Sequence, residues 1–305
     1  MNETVTRVSP SRLATYAACP RQYEYDSEWS VEAPEESRRY LDRGLAYHGA
    51  IEDTCTWVAD HSGSPTDEEI RAYAAEAIDR QWTSHTDRSE YASDAQYAYD
   101  REVATTGVAA YFAEDGLEHA RNSVTQEGWL TCNRGDVHLH GRVDNIVRTD
   151  DGLQVIDYKG SLSGIVSGRT HDRIEEHHDG EAYHADILRS VFQAATYIEG
   201  AKRTDHYEPG MDVEFTFYGL LHSVDRNPGR DGITVTVEAN ARNVGWIYDA
   251  HEDAIWSIIE DCYDGILDRE FAPEPWDEIQ EQTYGDCSYQ GMCGDYLGAE
   301  VGLDD

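Results

Sequence analysis

Residues 122 to 160 alternate between polar and apolar side chains, and this pattern constrains the fold of the chain more than any other. The alternating stretches cover Thr125 to Thr131, Val137 to Arg148 and Leu153 to Tyr158. Turn-forming residues separate them at Asn133-Arg134-Gly135-Asp136 and at Asp150-Asp151-Gly152. Strand side chains alternate between the two faces of a sheet, and short turns of this kind join antiparallel neighbours. We therefore predict a three-stranded meander.

The segments on either side of the meander have helical character. Alanine-rich stretches that start with acidic residues and contain no internal proline favour helices. We predict a short capped helix after Ser9 and longer helices over Glu36 to Ala59, Asp67 to Gln81, Ala92 to Glu114, Ala185 to Ala201 and Ala250 to Leu267. Two further strands are expected over Val213 to Leu221 and Gly232 to Glu238.

This order of elements predicts an α/β or α+β fold. The 305 residues are expected to form one domain, with a mostly helical part over 1–120, a core over 122–270 and a cysteine-containing segment over 271–305. Residues 161–181 are polar and contain several glycines, which favours a mobile loop. A second metal site is the alternative there, because four histidines lie in or next to this segment: His171, His177, His178 and His184.

The chain carries 61 acidic and 24 basic residues, a formal charge of −37, and its only lysines are Lys159 and Lys202. Disordered chains combine high charge with few aromatic residues, and the 20 tyrosines and 7 tryptophans exclude that class. The composition is typical of a halophile, because molar salt screens carboxylate repulsion to about 3 Å. At such salt an acidic surface does not exclude a nucleic-acid partner.

The sequence favours a cytoplasmic protein that does not enter the membrane. No apolar run approaches the roughly 18 residues needed to span a bilayer. The segment Met1-Asn2-Glu3-Thr4 has neither the basic nor the apolar region of a signal peptide. In the cytoplasm the six cysteines are expected to be thiols or metal ligands.

Two aspartates and the rare Lys159 gather on the second hairpin of the meander. If Asp150-Asp151 forms the turn, Asp144 lies opposite Asp157, and if the turn is one residue later, Asp144 lies opposite Lys159. In both registers the three side chains share one face, because strand side chains alternate with period two. Opposed residues have Cβ atoms about 5 Å apart.

Two carboxylates at that separation repel each other unless one is protonated or a cation lies between them. Hard oxygen ligands suit Mg²⁺ or Mn²⁺, and such an ion polarises a phosphate and activates a bound water. Lys159 is suited to orient that water or to stabilise the developing charge. The alternative is a solvated face on which Asp144 pairs with Arg142 or Lys159, but the apolar neighbours in both strands favour burial.

These residues resemble the motifs of a known superfamily. Gly141-Arg142-Val143-Asp144, Ile156-Asp157-Tyr158-Lys159 and Gln193-Ala194-Ala195-Thr196-Tyr197 resemble the GxxD, (D/E)xK and QxxxY motifs of PD-(D/E)xK nucleases. The segment from Gly44 to Glu52 resembles the upstream GxxxH helix of the RecB-type branch, which includes AddB-type and CRISPR-associated exonucleases. The segment from Ser9 to Tyr23 is similar to the N-terminal segment of that branch.

The resemblance implies a restriction-endonuclease-like core, a mixed sheet flanked by helices, with a helical N-terminal elaboration. It also implies roles for individual residues. Asp144 and Asp157 are expected to bind the metal, with His48 and the Tyr158 carbonyl, and Lys159 is expected to be the catalytic lysine. Gln193 and Tyr197 lie one helical turn apart and are expected to position the substrate. The alternative for His48 is a core histidine, and for Gln193 and Tyr197 ordinary helix packing.

Many members of that branch hold an iron–sulfur cluster with one N-terminal and three C-terminal cysteines. Cys19, Cys287 and Cys293 match three of these positions, but Tyr284 stands where the remaining cysteine is expected. A [4Fe–4S] cluster usually takes four thiolates. The candidates for the fourth ligand are Cys262, Cys55 and Asp286. The alternatives are packed, reduced thiols, as expected for Cys132, or a zinc site with mixed ligands.

The function implied is a metal-dependent DNA nuclease, an exonuclease that acts on single-stranded ends in repair or recombination, with DNA and possible helicase or recombination proteins as partners. A catalytically silent subunit that binds DNA ends is the alternative from another class. Retention of Asp144, Asp157 and Lys159 argues against it, since a silent protein does not need this charged face. A hydrolase of another phosphodiester is the third candidate.

Overall fold

A five-stranded mixed sheet lies at the centre of the computed structural model, which describes residues 6–33, 38–229, 232–283 and 287–300. In the sheet the strands follow their order in the chain: β1 (Ser123–Arg134), β2 (Val137–Arg148), β3 (Gly152–Lys159), β4 (Asp212–Gly229) and β5 (Gly232–Asn243). Only β3 and β4 are parallel neighbours. The predicted fold class and the meander are confirmed.

Helices cover both faces of this sheet. Within the described residues they are α1 (Pro10–Ala18), α2 (Pro20–Tyr23), α3 (Arg39–Asp60), α4 (Asp67–His85), α5 (Asp94–Ala113), α6 (Gly116–Asn122), α7 (Arg173–His178), α8 (Ala185–Ala201), α9 (Gly245–Asp268), α10 (Trp276–Thr283) and α11 (Gly294–Glu300). One face packs against α1, α8 and α9, and the other against α3, α4, α5 and α6. None of these helices is both long and apolar enough to cross a membrane.

Local sequence explains where the predicted helices begin. The Ser9 hydroxyl accepts the backbone N–H of Arg12 at 3.3 Å and caps α1, as predicted. Thr66 and Glu69 form a reciprocal capping box at the start of α4. The helix α3 was predicted to start at Glu36. That residue lies outside the described residues, and α3 begins at Arg39.

The prediction of a mobile loop or short irregular insertion over 161–181 is wrong in part, because this segment contains the short helix α7. Long-range polar contacts stabilise it. Arg173 binds both carboxylate oxygens of Asp186, at 2.9 and 2.6 Å, and the His171 and His251 rings are hydrogen-bonded at 3.0 Å. Such contacts join residues far apart in sequence, so local composition does not reveal them.

The hairpin between β2 and β3 adopts the first of the two predicted registers. Asn145 pairs with Ile156, and the Thr149 N–H donates to the Gly152 carbonyl at 3.0 Å, so Asp150-Asp151 is the turn. Pairing in register ends at Asn145. Beyond it, the Asp144 Oδ2 atom accepts the Tyr158 N–H at 2.6 Å, so a side chain replaces the backbone partner.

The crossover from β3 to β4 places α8 against the sheet. Parallel neighbours require such a crossover, and α8 supplies it with almost every residue buried. Leu153 and Val155 of β3 belong to the core beneath α8, whereas Ile156 and Tyr158 belong to the core beneath α3 to α6. Asp157 follows Leu153 and Val155 at period two and therefore faces α8.

Gly141 of β2 is required by the close approach of α8. A Cβ atom at this position would lie 2.4 Å from the Tyr197 Cε1 atom, a distance that side chains do not tolerate. The Tyr197 hydroxyl donates to the Arg142 carbonyl at 3.1 Å and fixes the ring there. The glycine of the GxxD segment and the tyrosine of the QxxxY segment are thus in direct contact.

We expect Gly141→Ala to lower the free energy of unfolding by about 1–3 kcal/mol, because the added methyl group overpacks a buried contact. Denaturant unfolding measures this loss. Gly291→Ala is the matched control, since nothing lies within 4 Å of the Cβ atom that it adds. Equal stability of the two variants would contradict the steric role of Gly141.

Candidate metal centre and catalytic face

The candidate site lies where β2 and β3 separate, between α3 and α8. Asp144 of β2 and Asp157 and Lys159 of β3 meet there, with His48 from α3 and Gln193 from α8. Hairpin register brings the first three together, and the helices on opposite faces supply the other two. The structure therefore gathers residues from four separate elements.

Asp157 is the most buried carboxylate of this group, with 5% of its surface exposed. Its Oδ2 atom lies 2.6 Å from the Lys159 ammonium, and its Oδ1 atom accepts the Gln193 amide at 3.0 Å. The Oδ2 atom makes no hydrogen bond of good geometry with a described residue, so the ion pair is its main compensation. Burial, and then the nearby Asp144, raise the pKa of Asp157 to about 6, while Lys159 lowers it.

A second cluster of ligand atoms surrounds Asp144. The His48 Nδ1 atom lies 3.4 Å from the Asp144 Oδ2 atom. One ligand atom from each of His48, Glu127 and Asp144 lies within 4.8 Å of the other two. The Glu127 carboxylate also lies 2.6 Å from the Arg142 Nε atom.

Charge in this cluster favours a cation. Burial, and then Asp144, raise the pKa of the Glu127 carboxyl group. Burial would lower the pKa of His48, but the neighbouring carboxylates, Asp144 first, raise it overall. Two carboxylates and an imidazole are hard-to-intermediate donors that suit Mg²⁺ or Mn²⁺. The residues present therefore fit a divalent ion, which would relieve the repulsion among the acids.

Glu127 was missed in the sequence analysis. The register of β1 and β2 pairs Gln126 with Asn145 and Gly128 with Val143, so Glu127 lies beside Asp144. The backbone of Glu127 has a positive φ of 48°. This conformation turns the side chain away from the direction that regular strand alternation would give it. The turn at Gly135-Asp136 sets this register, but nothing in the sequence predicts the positive φ.

Behind the site, buried polar groups form a connected network. The Tyr158 hydroxyl is hydrogen-bonded to the Tyr111 hydroxyl at 2.7 Å and accepts the Asn145 amide at 3.2 Å. Tyr111 continues the network to the His119 ring at 2.9 Å. Asn145 and Tyr158 directly follow Asp144 and Asp157 in sequence, so this network fixes the backbone that carries the two acids.

Cys287 and Cys293, two of the four predicted cluster cysteines, lie in one small apolar cluster. Burial raises the pKa of the Cys19 thiol to about 11, with smaller contributions from Cys287 and Cys293. Burial also raises the pKa of Cys262, but its charged neighbour is Asp261. Among the described residues, no group of three metal-ligand atoms within 4.8 Å includes a cysteine, so a mononuclear zinc site there is not supported.

The remaining candidates for the fourth ligand are also located. Tyr284 and Asp286 lie outside the described residues. Cys55 is buried in the other core, where the Asn145 amide contacts its sulfur at 3.9 Å, and Cys132 is buried beneath α8.

The histidines near α7 do not form a buried metal site in the described structure. His184 binds the Glu176 carboxylate at 2.8 Å. Glu175, His178 and Asp179 bring ligand atoms within 4.8 Å of one another, but all three are at the surface. Exposed acidic groups commonly lie together without a metal.

The five-stranded mixed sheet flanked by helices is consistent with a restriction-endonuclease-like fold. A family model of the PD-(D/E)XK nuclease superfamily matches residues 7–294. The chain belongs to this superfamily. Its members are usually nucleases, and they typically use Mg²⁺ or Mn²⁺. Among curated proteins, no sequence matches the chain.

We expect Glu127→Gln to weaken Mn²⁺ binding by roughly tenfold or more, because changes even to the outer shell of a metal site cost that much. Isothermal titration calorimetry measures the affinity. Glu260→Gln is the control, since Glu260 is exposed on α9, away from the site. An unchanged Mn²⁺ affinity in Glu127→Gln would remove Glu127 from the set of ligands.

Proposed function

We propose that the protein is a metal-dependent deoxyribonuclease that acts as an exonuclease on single-stranded DNA ends in repair or recombination. The ion pair between the buried Asp157 and the partly exposed Lys159, beside Asp144, carries this proposal, because a buried carboxylate is costly unless the site uses it. The resemblance to the RecB-type branch supports the exonuclease role, a helicase or recombination partner, and the one-domain organisation. The charge of −37 supports a halophilic, cytoplasmic setting.

The residues of the site are proposed to have different roles in hydrolysis. Asp144, Asp157, His48 and the Tyr158 carbonyl are proposed to hold Mg²⁺ or Mn²⁺, and Glu127 joins them on the strength of its position. The bound ion would polarise the phosphate and lower the pKa of a water molecule.

Lys159 is proposed to stabilise the charge that develops on phosphate as the oxygen of water forms its new bond to phosphorus. The attacking water gives up one proton, the bond from phosphorus to the leaving oxygen breaks, and the leaving oxygen takes up a proton. Gln193 holds the Asp157 carboxylate through its amide, and Tyr197 holds the β2 backbone, so both are positioning residues.

Lys159→Ala and Asp157→Asn are expected to lower kcat for DNA hydrolysis by about 10²–10³, the loss typical when one electrostatic group is removed from an active site. The assay uses labelled single- and double-stranded DNA with Mn²⁺ in high KCl. Lys202→Ala is the matched control, because Lys202 is the other lysine of the chain and pairs with Glu199 at the surface.

Thermal unfolding of each variant separates a catalytic loss from a folding loss. Wild-type protein without activity, or full activity in both site variants, would reject the proposed nuclease function. DNA-end binding without cleavage would favour the silent subunit instead. Degradation from strand ends, as opposed to internal cuts, tests the exonuclease role.

We further propose that Cys19, Cys287 and Cys293 hold an iron–sulfur cluster, with Cys262 or Asp286 as the fourth ligand. The packing of Cys287 and Cys293 in one apolar cluster supports this proposal, and the resemblance to the RecB-type branch supports the choice of Cys19. Anaerobic purification is expected to give a brown protein with iron and acid-labile sulfide, and Cys287→Ser is expected to remove both. Cys132→Ser, a change in the core beneath α8, is expected to keep the cluster, and a colourless wild-type protein would exclude it.

A further inference from the structure

A groove of about 400 Å³ opens directly beside the proposed catalytic face. Lys159 and Gln193 line one end of it, and Arg189 of α8 lines it one helical turn before Gln193. Residues of α1 and Gln22 of α2 also line it. A ligand in this groove would therefore contact the residues that hold Asp157.

Arg189 is unusual for its lack of partners. Many arginines of this chain form ion pairs with its abundant carboxylates. Arg189 is exposed, and its side chain makes no ion pair or hydrogen bond with any residue in the described part of the structure. A guanidinium presents five donors in a planar fork that matches phosphate oxygens. Arg189 is free to bind an anion.

The other walls of the groove also suit a phosphate backbone. Asp186 is the one acidic residue that lines it, and Arg173 binds both of its carboxylate oxygens, so its charge is compensated. Gln22, Ser161 and Ser163 contribute neutral hydrogen-bonding groups, which proteins commonly use on phosphate and sugar. Among the described residues that line the groove, Arg189 therefore carries the one uncompensated charge, in a chain with a net charge of −37.

We propose that this groove holds the sugar–phosphate backbone of the DNA strand next to the scissile phosphate, and that Arg189 binds one of its phosphates. This inference rests on the proposed nuclease function. The groove is larger than a single phosphate requires, and it continues from the catalytic face. Since its polar groups suit backbone contacts, binding here is independent of base sequence.

The first test measures binding of a labelled single-stranded oligonucleotide to the full chain by fluorescence anisotropy, with Ca²⁺ in place of Mn²⁺. Arg189→Ala is expected to raise Kd roughly tenfold, as for loss of a charge-assisted hydrogen bond. The slope of log Kd against log salt should fall by about 0.7, the value for one phosphate contact on a single strand. Arg189→Lys should restore part of the affinity, because the charge remains without the planar fork.

Arg169→Ala is the matched control, because Arg169 is also exposed and its side chain has no ion pair in the described structure, but it does not line the groove. It is expected to change Kd less than twofold. In the Mn²⁺ cleavage assay, Arg189→Ala should raise KM and leave kcat within about twofold, whereas a lost catalytic group lowers kcat.

The second test locates the phosphate. Single neutral methylphosphonate linkages are placed at successive positions of the strand. A neutral linkage at one position next to the cleavage point should weaken binding to wild type. The same linkage should not weaken binding to Arg189→Ala any further, because the linkage and the substitution remove the two partners of one contact. Inorganic phosphate and a mononucleotide serve as competitors. Full competition by either would show that the groove is a site for small anions and not for a DNA strand.

The outcomes separate this inference from the proposed function. Wild-type protein that neither binds nor cleaves DNA would reject both together. Wild-type protein that cleaves DNA, with an Arg189→Ala variant that binds as tightly as wild type, would reject the groove alone. An equal loss in Arg169→Ala and Arg189→Ala would show a general charge effect and would also reject the contact.

Discussion

The ion pair between Asp157 and Lys159 is the interaction on which the rest of the site depends. A buried carboxylate is costly unless a cation and hydrogen bonds compensate it. Lys159 supplies the cation and Gln193 a hydrogen bond, and both reach Asp157 from one side. Removing Lys159 would cost no more than about 3 kcal/mol, since the lysine is one-third exposed and partly screened. The ion pair is therefore expected to contribute to the proposed chemistry of the site as well as to the stability of the fold.

The alternation of side chains between the two faces of a strand explains why sequence alone predicted the core of this site. Asp144, Asp157 and Lys159 lie at fixed spacing around a short turn, so each possible two-residue turn placed them on one face. The turn at Asp150-Asp151 decided between the registers. Strand identity and turn length were enough, and no long-range contact was needed.

Residues that depend on irregular backbone or on tertiary contacts were beyond that reasoning. Glu127 reaches the cluster through a positive φ within a strand, which composition does not reveal. The helix α7 is held by Arg173, whose partner Asp186 belongs to another helix. The roles of His48 and Gln193 came from the resemblance to a family, since nothing local predicts which helix will face a given strand.

The crossover helix α8 has a consequence for how the site is assembled. The hairpin of β2 and β3 joins neighbouring segments and can form early, but Gln193 and Tyr197 reach it only when α8 is docked by the parallel pairing of β3 with β4. Loop closure over this distance is slow compared with hairpin formation. A nascent chain that has not yet released β4 from the ribosome therefore carries the acidic residues without the groups that orient them. The complete site would form only after β4 has been released and has paired with β3.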